Sequence, residues 1–165
     1  MIKLNYEFNP KLDLKLERIL EVPVEMVWKC YTTAKYLEKW FCPIPWKTTD
    51  YEIDLRPGGT FKFVMISPEG QEFPNLGCYL EVTKNEKLVW TNALVSDYRP
   101  ALKPLYGADF FMTAKILLES QGKNTKYTAI INHKNEEDRN KHEKMGFHDG
   151  WSKTLDQLTT LSKTI

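Results

Sequence analysis

Residues 11–20 (KLDLKLERIL) alternate apolar and polar side chains, which places Leu12, Leu14, Leu16, Arg18 and Leu20 on one face of a strand. Glu21-Val22-Pro23 then opens a helix, because proline suits a first helical turn. Val24, Val27, Trp28 and Tyr31 recur at helical spacing, and after a break near Thr32-Thr33 the stripe resumes at Leu37, Trp40 and Phe41. One strand and two short helices are expected. From Trp46 to His133 the period is two. Tyr51, Ile53 and Leu55 alternate with Glu52, Asp54 and Arg56 before the turn Pro57-Gly58-Gly59. Phe61, Phe63 and Met65 share the next face, which Pro68-Glu69-Gly70 closes. Residues 76–83 and 87–95 flank the polar turn Lys84-Asn85-Glu86 and predict a hairpin.

Residues 107–119 alternate most regularly, with Ala108, Phe110, Met112, Ala114, Ile116 and Leu118 on one face. The turn Gln121-Gly122-Lys123 leads into 123–133, where Tyr127, Ala129, Ile131 and His133 lie together. From about Glu136 to Leu161 the pattern is helical. Asn135 is the expected N-cap, and Glu136, Glu137 and Asp138 stand where the helix dipole favours acids. Phe147, Trp151, Leu155 and Leu158 form one apolar stripe. The predicted order is a strand, two short helices, about six antiparallel strands and a long C-terminal helix. That is an α+β architecture, and a sheet wrapped on the helix without closing on it leaves a cavity between them.

Composition narrows the chemistry. A chain of 165 residues, 42% hydrophobic and 27% charged, is expected to fold as one domain spanning 1–165, with its core at about 11–162. Its 23 Lys+Arg against 22 Asp+Glu give no electrostatic footprint for nucleic acid. No run approaches the roughly 20 apolar residues of a membrane span, and MIKLNYEFNPKLDLKLE lacks a signal peptide's apolar stretch. A cytoplasmic protein is expected. Cys30, Cys42 and Cys78 are odd in number and widely spaced, as free thiols in a reducing compartment would be. The unusual feature is the rings: 5 Trp, 8 Tyr and 8 Phe. Large rings build cores, and they also line small-molecule pockets.

Certain strings carry a family resemblance across about residues 12–161. They are Arg18 followed by Val22-Pro23-Val24-Glu25-Met26-Val27-Trp28, Leu37-Glu38-Lys39-Trp40-Phe41, and Asp54-Leu55-Arg56-Pro57-Gly58-Gly59. Pro68-Glu69-Gly70, Gly77-Cys78-Tyr79-Leu80-Glu81-Val82 and Met145-Gly146-Phe147-His148-Asp149-Gly150-Trp151, leading into Leu155-Asp156-Gln157-Leu158, complete the set. The chain resembles the START-like helix-grip superfamily, in the branch related to the activator of the 90-kDa heat-shock protein ATPase. The resemblance implies a hydrophobic cavity between sheet and C-terminal helix, as in stand-alone bacterial members. In the eukaryotic co-chaperones this domain is one half. With 165 residues expected to be filled by one domain, no room is expected for the half that binds the chaperone's middle domain.

On that fold Phe61, Phe63, Trp90, Phe110, Met112, Tyr127 and Trp151 are expected to point towards the helix. Trp40, Tyr79 and His133 join them as candidate cavity wall. Each ring is equally a candidate for a filled core at crystal-like density. Residues 96–106 (SDYRPALKPLY) join two strands with more chain than a hairpin needs. Tyr98, Leu102, Leu105 and Tyr106 can cap the cavity as a lid, or pack on the sheet edge.

Arg18 and His133 are the candidate polar anchors. Arg18 can bind an acidic ligand group or pair with a carboxylate such as Glu81 or Asp54; His133, ending its strand, can instead be a solvated rim residue. His142 and His148, six apart, miss the helical spacing of a metal pair, and Gly146 and Gly150 look costly inside a helix. No GxSxG, Walker or HExxH motif occurs, so no catalytic residue, metal or cofactor is assigned. The leading expectation is non-catalytic binding of a small apolar or amphipathic ligand. A chaperone-linked interaction module and a cyclase- or hydrolase-like enzyme in the same cavity are the alternatives. Outward apolar residues such as Phe111 and Leu117 are compatible with a monomer or a homodimer.

Overall fold

The computed structural model describes residues 8–105 and 109–165. It begins with β1 (Asp13–Leu20), α1 (Val24–Thr32) and α2 (Ala34–Trp40), followed by β2 (Lys47–Ile53), β3 (Thr60–Ile66), β4 (Glu72–Thr83) and β5 (Lys87–Thr91). Two short strands, β6 (Leu94–Val95) and β7 (Arg99–Pro100), precede β8 (Met112–Gln121), β9 (Asn124–His133), α3 (Glu136–Lys144) and α4 (Phe147–Ser162). The seven long strands form one antiparallel sheet in the order β1-β9-β8-β5-β4-β3-β2. The first strand and the second therefore lie at opposite edges, and α1 and α2 carry the chain between them. Both helices pack on α4. This is the expected α+β grip.

Alternation decides the sheet's faces. Along β8, Met112, Ala114, Ile116 and Leu118 are buried while the residues between them are less so. Leu14, Leu20, Val22 and Leu37 meet Ile131, Leu155 and Leu158 in the most enclosed part of the core. Two register shifts, between Thr49 and Glu52 of β2 and between Tyr79 and Glu81 of β4, fall in the other half of the sheet. Bulges of this kind bend and twist a strand. No helix among the described residues is long and apolar enough to cross a membrane.

Three local features differ from expectation. The tail is two helices, not one. Met145-Gly146 interrupts it, with Gly146 at φ +90°, a conformation that only glycine enters cheaply, and its N–H donates to the Glu143 carbonyl at 3.0 Å. The expected cap does hold: the Asn135 side chain accepts the Asp138 N–H at 2.8 Å. Second, β8 starts at Met112, since the Asn92 amide accepts the Met112 N–H and donates to the Phe110 carbonyl, taking the place of ladder bonds there. Third, residues 94–100 fold back on themselves as β6–β7 around a 3-10 turn, where Asp97 and Tyr98 both have positive φ.

Candidate ligand cavity

The helix layer and the sheet close on each other at one side and stay apart at the other. On the closed side Tyr31 of α1 meets Tyr127 of β9 hydroxyl to hydroxyl at 2.6 Å, and Trp40 donates its indole N–H to the Cys30 carbonyl at 3.0 Å. Tyr31 and Trp40 pack edge to face at 4.7 Å. Burial pushes the Tyr127 hydroxyl far above its ordinary pKa, so it remains a neutral donor and acceptor.

On the other side is a void of about 230 Å3. Its walls come from the segment after α2 (Phe41, Cys42, Pro43, Trp46), from β3 and β4 (Phe63, Met65, Phe73) and from the α3–α4 bend (His142, Met145, Gly146, Phe147, Gly150, Trp151, Thr154), with Tyr31 at its inner limit. A second space of about 20 Å3 shares Phe41, Phe63 and Trp151 with the first, and is lined further by Asn75, Asn92, Trp90, Met112 and Leu105. Local sequence explains the gap. Pro43 and Pro45 keep the chain after Trp40 out of a helix, and Gly146 breaks the C-terminal helix, so two irregular segments face each other across the sheet. Gly150 brings α4 near the first of them: a Cβ there would lie 3.7 Å from Pro43 Cγ.

The sequence candidates separate along the same line. Phe61, Phe63, Trp90, Met112 and Trp151 border the chambers. Trp40, Tyr79, Phe110, Tyr127 and His133 are buried in the packing behind them. Leu105 reaches the smaller chamber, held there by a bond from the Leu76 N–H to its carbonyl at 3.3 Å. Leu102 projects into solvent, and Tyr98 lies over Gly58 on the Pro57-Gly58 turn. Tyr106 lies outside the described residues. Arg18 pairs with neither Glu81 nor Asp54. It donates to the Ser152 carbonyl at 2.9 Å and to Asp156 at 2.8 Å, tying β1 to α4 outside both chambers, while Glu81 is taken by Lys87 and Asp54 by Arg56.

His133 is buried and not a solvated rim residue, because His142 of α3 covers it. Its Nδ1 lies 2.9 Å from the Leu12 carbonyl, which can only accept, so Nδ1 carries the proton. Its Nε2 then accepts from Nδ1–H of His142 at 3.0 Å. Burial, reinforced by His133, lowers the His142 pKa to about 3. Burial also lowers that of His133, against the raising effects of the Leu12 bond, Asp13 and Asp138. Both rings are neutral at pH 7, and the sole N–H of His142 is committed to its partner. Cys42 lines the same cavity, and burial raises its pKa to about 12, keeping it a thiol.

The missed wall residues, His142 above all, follow from chain breaks. Spacing along one helix compares His142 with His148 and cannot show that a strand end nine residues earlier lies against it. The pair Gly146 and Gly150 was the available signal.

A family model described as Activator of Hsp90 ATPase homolog 1-like protein matches residues 21–163. The chain belongs to this family. Its members among solved structures include the AHSA1 protein from Silicibacter pomeroyi, 21% identical over 90% of this chain and 95% of that one, TM-score 0.66. A structural-genomics protein from Nitrosomonas europaea is 48% identical over 95% of this chain and 97% of its own, with TM-score 0.89. One from Rhodobacter sphaeroides, at 15% identity, superposes with TM-score 0.80 over 96% and 97%. Likeness at 15–21% identity bears on fold alone. Among curated proteins none matches the chain. Membership in the activator-homologue family accounts for the grip fold and leaves the chemistry to this chain's own cavity.

Proposed function

We propose that this protein binds a small apolar or amphipathic molecule in the space between β3–β4 and the α3–α4 bend, without transforming it. The observation that supports this is the void of about 230 Å3 walled largely by rings, a proline and methionines beside the packed core. Unfilled apolar volume costs stability, and a ligand that removes its own apolar surface from water there regains it. The space has room for on the order of ten non-hydrogen atoms at roughly 30 Å3 each. Met145 lines it and is 56% exposed, which marks where it meets solvent.

Native mass spectrometry of the purified protein, repeated under denaturing conditions, tests the reading. A mass excess that disappears on denaturation, or uptake of an added apolar probe such as naphthalene, is the expected result. A bare mass that stays bare in excess probe overturns it.

Family membership supports a second reading, an interaction with a chaperone ATPase. Met145 and the exposed Ile44, next to the cavity-lining Pro43, would supply its apolar contact. It predicts stimulation of a bacterial chaperone's ATPase that Met145→Glu abolishes. An unchanged rate at saturating protein excludes it.

A further inference from the structure

Asn75 is a polar residue in an apolar place. It sits on β4 opposite Phe63, is 3% exposed, and lines the smaller chamber. Its amide nitrogen donates to the Phe73 carbonyl at 2.9 Å. Its Oδ1 is buried and has no hydrogen-bond partner among the described residues. Most buried acceptors are satisfied in native proteins, and this one, unlike the other unpartnered atoms, belongs to a residue that lines a chamber, which makes it the place for a donor from outside the chain. The neighbouring Asn92 offers a contrast, because its amide is engaged at both ends, with Phe110 and Met112.

Size and charge limit what the donor can be part of. The smaller chamber, about 20 Å3, holds one water or one hydroxyl-sized group. It adjoins the larger chamber through the shared walls Phe41, Phe63 and Trp151. No Lys, Arg, Asp or Glu is among the described residues that line either space. The one histidine there has spent its N–H on His133. An anion would therefore meet no cation, and an ammonium no carboxylate; burying either uncompensated is costly.

We infer that the cavity selects an uncharged molecule, its apolar body in the larger chamber and a single hydroxyl or amide N–H donating to Asn75 Oδ1 in the smaller. This rests on the ligand-binding reading above and adds the ligand's class.

Calorimetric titration of the full chain with naphthalene, 2-naphthol and 2-naphthoate, at about pH 8 where the naphthol is neutral and the acid ionised, tests it. The expected order is 2-naphthol about tenfold tighter than naphthalene, with 2-naphthoate weakest. Asn75→Leu should reduce the ratio of 2-naphthol to naphthalene affinity from about tenfold to about one. If naphthalene binds and 2-naphthol binds no better, Asn75 is satisfied by water and this inference fails while the cavity reading stands. Equal binding of 2-naphthoate, or a naphthol preference that survives Asn75→Leu, also overturns it. Binding of none of the three removes the cavity reading, and this inference with it. Should Asn75→Leu not fold, the ratio of the two affinities in the natural sequence still decides.

Discussion

The two sides of the grip are built from the same kind of residue and end in different states. Around β1, β9 and α1, Tyr31, Trp40 and Tyr127 interlock with Leu20, Ile131 and Leu158, and every polar tip named there has a partner. Around β3, β4 and the α3–α4 bend, Phe41, Phe63, Phe73 and Trp151 surround unfilled space, and the Asn75 oxygen has no partner among the described residues. Ring content cannot distinguish filler from wall. Backbone continuity does: regular helix faces regular strand on the first side, while Phe41–Trp46 and Met145–Gly146 hold the layers apart on the second.

Truncation should expose the difference most strongly. Leu158→Ala on the closed side should cost about 2–5 kcal/mol, since it opens a cavity in packed surroundings. Phe73→Ala beside the existing void should cost about 1 kcal/mol, because it removes a half-exposed ring from a wall that is already open. Chemical denaturation measures both, and similar values would erase the distinction. The next effect concerns the tyrosine pair. Tyr31→Phe strands the Tyr127 hydroxyl and should cost about 1–3 kcal/mol, and adding Tyr127→Phe should recover part of it. Additive costs would mean that the hydroxyls do not interact.

The histidine pair predicts a pH dependence at the boundary of the two sides. Both rings have folded-state pKa values below that of an unfolded histidine, about 6.5. Protons therefore bind the unfolded chain first. Their contribution is complete above about pH 6.5 and is lost as pH falls from there towards 3, with a slope of up to about 1.4 kcal/mol per pH unit for each ring. His142→Phe should flatten that slope in urea titrations between these limits, at a cost of about 1–2 kcal/mol at neutral pH for the stranded His133. An unchanged slope would mean that His142 is not held neutral.

Most of the fold was legible because period-two and helical stripes dictate which faces are buried, and β1, α1, α2 and the antiparallel strands follow from them. The site was legible in part. Phe63 and Trp151 stand out as rings on inward faces, but whether an inward ring touches another ring or a void depends on how far apart the layers sit. Two short irregular segments set that distance. Gly146 and Gly150 announced one of them without saying that the first breaks the helix. His142 and Asn75 carried no signal, since their partners, or the lack of one, arise from residues distant in sequence.

The two glycines give the smallest effects, of opposite sign. Gly146→Ala forces a side chain to φ +90° and should cost about 1 kcal/mol or more, whereas Gly150→Ala should gain up to about 1 kcal/mol of helix propensity and meet only ordinary contact at Pro43. Equal signs would mean that both share one conformation.

Gly150 also gives access to the central claim, that open space lies beneath α4. The most direct test is the thermal unfolding midpoint of Gly150→Leu, compared with Gly150→Ala as the control for helix propensity. A leucine entering an unfilled chamber should leave Tm at or above the alanine value, itself about 2–4 °C above the natural protein. A Tm several degrees below the natural protein would show an overpacked core where the cavity has been placed.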